Sequence, residues 1–164
     1  MSKLVSTVVI AAPPEKVWAA LADFGGVYRF NPSVPTSRST SEQAGGVGAT
    51  RHCDLKPMGS VEERIIEWDE GSGYKVDIYD SNKIPPFRRS VADLRVEPEG
   101  DGTRFTGTLD YELRYGIVDR LGARNQFAKA WSRFAAGLKS YVETGIEVEH
   151  PKAVSIDDVE VTAG

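Results

Sequence analysis

The sequence predicts an α+β domain in which a curved antiparallel sheet of about seven strands packs on a long C-terminal helix. Two observations carry this reading. First, residues 116–144 contain no proline, and their apolar residues recur in steps of three and four: Ile117, Val118, Leu121, Phe127, Ala128, Trp131, Phe134, Ala135, Leu138, Tyr141 and Val142. That spacing places them on one broad helical face, with Lys129, Arg133, Lys139 and Glu143 mainly on the other. Second, most of the preceding chain alternates with period two, the pattern of strands with one buried face. A helix of that span is roughly 40 Å long, and so long an aromatic face needs a large apolar partner. The sheet is that partner.

Each element follows from local chemistry. Residues 2–11 hold Val5, Thr7, Val8, Val9 and Ile10 and form a first strand. Ala12-Pro13-Pro14-Glu15 ends it and opens a helix over 14–22, with proline in the first turn and Glu15 at the positive end. A second short helix over 24–30 stops at Asn31-Pro32. Residues 34–42 are polar and predict an edge strand. Strands at 48–55, 60–68, 74–80, 88–96 and 103–115 follow, separated by Gly- and Pro-bearing turns. Gly145 stands where a left-handed helix cap belongs.

Composition narrows the function classes. The chain has 164 residues and a formal net charge of −4, without the basic patch expected of a nucleic-acid binder. Cys53 is the sole cysteine, so no intrachain disulfide forms and a cytoplasmic setting is expected. No apolar run has the length of a signal peptide core or membrane span. Residues 1–145 are expected to form one ligand-binding domain. The acidic remainder, 146–164, is expected to be largely mobile. No cofactor, no nucleic-acid partner and no stable membrane insertion are expected, and the protein is expected to be a monomer or weak homodimer.

Idealised hairpin registers place specific side chains on the concave face. A turn at Pro57 pairs Cys53 with Val61 and Arg51 with Glu63. A turn between Glu70 and Gly71 pairs Glu63 with Ile78 and Ile65 with Val76. Continuing through Arg88 and Tyr111 gives one row of Arg51, Glu63, Ile78, Arg88 and Tyr111. A second row holds Ala49, Ile65, Val76, Ser90 and Leu109, with Leu55 and Leu94 on the same face. The face is thus mainly apolar with two arginines and a glutamate. Glu63 between Arg51 and Arg88 pairs internally first, since an unpaired buried charge is costly. Two readings of the trio stay open: a contact to a ligand carboxylate, phenolate or carbonyl, or a structural ion pair at the sheet rim.

Ala11-Ala12-Pro13-Pro14-Glu15-Lys16-Val17-Trp18, Val47-Gly48-Ala49-Thr50-Arg51, Glu62-Glu63-Arg64-Ile65 and the loop Lys83-Ile84-Pro85-Pro86-Phe87, in this order of elements, resemble the helix-grip fold of the START/Bet v 1-like superfamily. More narrowly they are similar to its polyketide cyclase/dehydrase and lipid-transport group. The resemblance implies a cavity between sheet and C-terminal helix that holds a hydrophobic small molecule. The gate and latch loops of the plant abscisic acid receptors of this fold would fall at 56–59 and 82–87, but their sequences do not match. On this reading the ligand-contacting candidates are Phe30, Arg51, Cys53, Leu55, Glu63, Ile65, Val76, Ile78, Ile84, Pro85, Arg88, Ser90, Leu109, Tyr111, Phe127 and Trp131, and the Pro85-Pro86 loop is either a lid at the mouth or stiff loop punctuation.

The residues favour a carrier of an apolar or amphipathic molecule. The alternative is a polyketide cyclase or dehydratase, in which Glu63 with Arg51 or Arg88 would move protons. A regulatory protein whose surface changes on ligand closure is a third reading. Cys53 points inward as a small core residue. His52 has outward parity and His150 lies in the tail, so neither builds a metal site or triad. Gly45-Gly46-Val47-Gly48 lies between strands and is a turn, not a phosphate cradle.

Overall fold

A computed structural model describes residues 1–82, 87–118 and 122–164. Strand β1 (Ser2–Ile10) leads into α1 (Pro14–Ala22) and a 3-10 turn (Phe24–Arg29). Strands β2 (Thr36–Ser39), β3 (Thr50–Asp54), β4 (Ser60–Asp69), β5 (Gly73–Asn82), β6 (Phe87–Glu99) and β7 (Gly102–Leu113) follow as an antiparallel meander. A single helical turn, α2 (Gly116–Val118), precedes the long helix α3 (Arg124–Thr144). The sheet order is β2-β3-β4-β5-β6-β7-β1-β8, where β8 (Glu160–Ala163) comes from the tail.

α3 is shorter than its apolar pattern suggests. Its 21 residues span about 30 Å, and Gly122 before it has φ +114°, which an α-helix cannot contain. The 116–144 pattern is therefore interrupted before α3 rather than continuous. Leu121 falls outside the described residues. At the other end Gly145 adopts φ 72°, and its N–H donates to Tyr141 O at 2.7 Å, the left-handed cap read from the sequence. Phe134, Ala135, Leu138 and Val142 are buried against sheet residues such as Leu4, Val8 and Phe105. Each large side chain among them contributes roughly 1.5–3 kcal/mol of burial.

Two parts of the tail pack on the domain. Val148 is buried and its N–H donates to Arg29 O at 2.8 Å. β8 then pairs with β1, placing Val161 opposite Ser6 and Thr162 opposite Val5. The edge of β1 would otherwise present unpaired N–H and C=O groups. The tail strand takes that edge, which makes eight strands instead of about seven.

Register sets the inner face. Arg51 pairs with Glu63 and Cys53 with Val61; Glu63 pairs with Ile78 and Ile65 with Val76, as the turn positions predict. Beyond β5 the expected register is two residues off. Val76 lies opposite Ala92, and Ser90, not Arg88, lies opposite Tyr111. A shift of two preserves the face, so Ser90 and Leu94 still point inward and are buried. Arg88 does not. An irregularity between Phe87 and Arg89 lifts it out of the ladder. Its side chain is 70% exposed, and its Nη1 donates to Glu112 Oε1 at 3.1 Å.

The end of the sheet at the β4–β5 turn is closed by aromatic packing. Trp18 and Trp68 have ring centroids 5.0 Å apart, and Trp68 stacks on Tyr74 at 5.5 Å. Glu70 accepts from both indole N–H groups, at 3.1 Å from Trp18 and 2.6 Å from Trp68. The turn between β3 and β4 lies at the opposite end of β4, and its Lys56 and Pro57 line the cavity between sheet and helix.

Candidate functional site

Between the sheet and α3 lies a cavity of about 690 Å³, within the roughly 300–1,000 Å³ of small-molecule sites. Its sheet wall comprises Arg51, Cys53, Leu55, Val61, Glu63, Val76, Ile78, Phe87, Ala92, Leu94 and Leu109. Its helix wall carries Ala123, Gln126, Phe127, Ala130, Trp131, Arg133 and Phe134. The 3-10 turn and the loop after it add Val27, Asn31, Ser33 and Val34, and the β3–β4 turn adds Lys56 and Pro57.

Of the residues singled out from the sequence, Arg51, Cys53, Leu55, Glu63, Val76, Ile78, Leu109, Phe127 and Trp131 meet in this lining. Phe30, Ile65, Ser90 and Tyr111 are inward but fully packed, and stand outside it. Phe30 packs edge-on to Phe134 at 5.3 Å, and Tyr111 edge-on to Phe127 at 5.0 Å. They support the wall rather than form it. Arg88 faces away, for the reason given above. Ile84 and Pro85, with the rest of the expected lid, lie outside the described residues. Val61, Ala92 and Leu94 share the inward parity, so the alternation alone could have named them as lining. Helical periodicity puts Arg133 on the outer face of the helix, yet it lines the cavity.

The aromatic wall is fixed by polar contacts behind it. Trp131 Nε1 donates to Gly107 O at 2.8 Å, and the indole stacks on Phe134 at 5.2 Å. A Cβ at position 107 would stand 3.1 Å from Trp131 Cζ2, so the glycine in β7 leaves room for the ring.

The buried polar cluster is built around Arg51. Its Nε and Nη2 contact Glu63 Oε2, its Nη1 donates to Phe24 O at 2.8 Å, and its Cζ lies 4.0 Å over the Phe24 ring. Burial works to lower the guanidinium pKa, but the Glu63 carboxylate more than offsets this and the net direction is upward. Burial pushes the Cys53 thiol up to about 12 and the Tyr74 phenol likewise to about 12. The Tyr74 hydroxyl donates to Leu21 O at 2.9 Å. Near neutral pH this cluster therefore holds a charge-neutralised ion pair, a protonated thiol and a protonated phenol. The thiol is not an activated nucleophile.

A curved antiparallel sheet gripping a long C-terminal helix defines the START/Bet v 1-like helix-grip class. The chain belongs to the polyketide cyclase/dehydrase and lipid transport family, whose model matches residues 1–143. Solved structures share the fold at low identity. The protein TTHA0849 from Thermus thermophilus superposes with a TM-score of 0.74 at 21% identity, covering 87% of this chain and 98% of that one. Major latex-like protein 151 from Panax ginseng gives 0.70 at 16%, covering 88% and 97%. A START superfamily protein from Mycobacterium smegmatis gives 0.68 at 18%, covering 86% and 97%. No curated protein matches in sequence. Among the described residues no helix is long and apolar enough to cross a membrane.

Proposed function

We propose that this protein binds and carries an apolar or amphipathic small molecule, lipid-like or polyketide-like, between the sheet and α3. The observation that carries the reading is the cavity itself: about 690 Å³, walled mostly by aliphatic and aromatic side chains. Such a lining gains from displacing water by apolar ligand surface. The protonated Cys53 and Tyr74, and the Arg51–Glu63 pair, support binding over proton-transfer chemistry. The ligand-binding unit is residues 1–145, and its expected setting is the cytoplasm.

Native mass spectrometry of gently purified protein, followed by organic extraction, tests this. A defined hydrophobic adduct, competed off by an added analogue, is expected. A clean apo mass with no binding from a broad lipid and aromatic panel would refute it. One observation keeps a second reading, a cyclase or dehydratase, in view: the Glu63 carboxylate lines the cavity beside Arg51. On that reading Glu63→Gln abolishes turnover of a polyketide-like substrate while binding survives. Loss of binding together with folding would make Glu63 purely structural.

A further inference from the structure

One stripe of α3 is not explained by packing on the sheet. Ala123, Gln126, Ala130 and Arg133 line the cavity, and Gly137 continues their three-and-four spacing. A Cβ at Gly137 would stand 2.0 Å from Phe30 O and 3.3 Å from Pro32 Cδ. The missing side chain thus lets the helix backbone lie directly against the turn that follows Arg29. Arg133, one helical turn earlier, lines the cavity together with Asn31 and Ser33 of the segment that begins at that turn. Lys56 is tied to the same wall, because its backbone N–H donates to Ser33 O at 3.0 Å.

Arg133 is half-buried, yet among the described residues its guanidinium has no hydrogen-bond or ion-pair partner. The other arginines that are at least partly buried differ: Arg29 is held by Asp23, Arg51 by Glu63, Arg95 by Asp93 and Arg124 by the Gly164 carbonyl. The charged lining side chains are Arg51, Lys56, Arg133 and Glu63. Three of the four are cationic, in a chain whose net charge is −4. With Arg51 neutralised by Glu63, the positive charge left over belongs to Arg133 and Lys56. A partly desolvated guanidinium without an acceptor favours an anion, and its planar fork fits a carboxylate in two parallel hydrogen bonds.

We infer that the ligand is an amphipathic carboxylic acid, its apolar body in the cavity and its carboxylate at the wall formed by Arg133 and Lys56. This rests on the binding function proposed above and names its ligand class.

The test is displacement of the neutral fluorophore N-phenyl-1-naphthylamine from the full chain at about pH 7.5. Dodecanoate, dodecanol and dodecyl phosphate are the competitors. Dodecanoate is expected to displace the fluorophore at a roughly ten- to hundredfold lower concentration than dodecanol, the span of a charge-assisted hydrogen bond. Arg133→Gln is expected to bring that ratio close to one, Arg133→Lys to keep part of it, and Lys56→Gln to reduce it less. A thermal midpoint near that of the parent protein checks the fold of each variant. Equal displacement by acid and alcohol in the parent protein overturns the inference, and that comparison needs no variant. So does an Arg133→Gln protein that weakens both competitors alike, or a preference for dodecyl phosphate over dodecanoate. If neither the fluorophore nor any competitor binds, the cavity reading fails, and this inference with it.

Discussion

Arg51 on β3 and Glu63 on β4 stand directly opposite each other and form an ion pair on the inner face, with side chains only 6% and 12% exposed. The pair is also a cavity wall. Removing one partner strands the other's charge in a desolvated site. Arg51→Met is therefore expected to cost about 3–5 kcal/mol of stability. The double variant Arg51→Met with Glu63→Leu is expected to recover most of that loss. Urea unfolding of the two single variants and the double checks this. A double variant as unstable as the summed singles would show that the two residues act separately.

Gly137 is where α3 touches the turn after Arg29. Alanine normally favours a helix over glycine by about 1 kcal/mol. Here its methyl would collide with the Phe30 carbonyl oxygen, which is backbone and not a flexible chain end. Gly137→Ala is expected to destabilise the protein by about 1–3 kcal/mol net. Thermal or urea unfolding decides, and a stabilised variant would mean that helix and turn separate without cost.

His52 lies on the outer face of β3. Its Nδ1 meets Glu62 Oε1, and its Nε2 meets Asp54 Oδ1 at 3.0 Å. The hydrogen bond to Glu62, then that to Asp54, raises the imidazole pKa above its ordinary value. A raised folded-state pKa contributes stability in full below the unfolded value of about 6.5. That contribution is lost as pH rises through the folded pKa. Stability attributable to His52 should accordingly be greater at pH 6 than at pH 8, and Glu62→Gln should shrink the difference. An NMR titration that put His52 at or below about 6.5 would contradict the geometry.

Cys53 gives a chemical readout of cavity burial. With its thiol pushed up to about 12 by burial, the thiolate at pH 8 is roughly three orders of magnitude scarcer than for an ordinary cysteine near 8.5. Native protein should react with a disulfide reagent far more slowly than protein unfolded in urea. A native rate like that of free cysteine would place Cys53 at the surface.

Much of this protein is set by local pattern. The meander, α1 with its Pro14 opening and the left-handed cap at Gly145 follow from strand alternation, proline chemistry and glycine's conformational freedom. So do the Arg51–Glu63 and Cys53–Val61 pairings, because a tight hairpin turn fixes its own register. What required the tertiary structure begins where a connection is long or a face is shared. Between β5 and β6 the sequence offers no short turn from which to count a register; Ser90 takes the place expected for Arg88, and an irregularity turns Arg88 to solvent. The tail reads as disordered by composition, yet β8 pairs with the open edge of β1, a backbone interaction that composition does not encode. Arg133 reads as a solvent residue because helical periodicity records only distance from the apolar stripe. Gly137 lies against the Phe30 carbonyl on the flank of α3 that also carries Arg133 into the cavity lining, a long-range approach that helical periodicity does not encode.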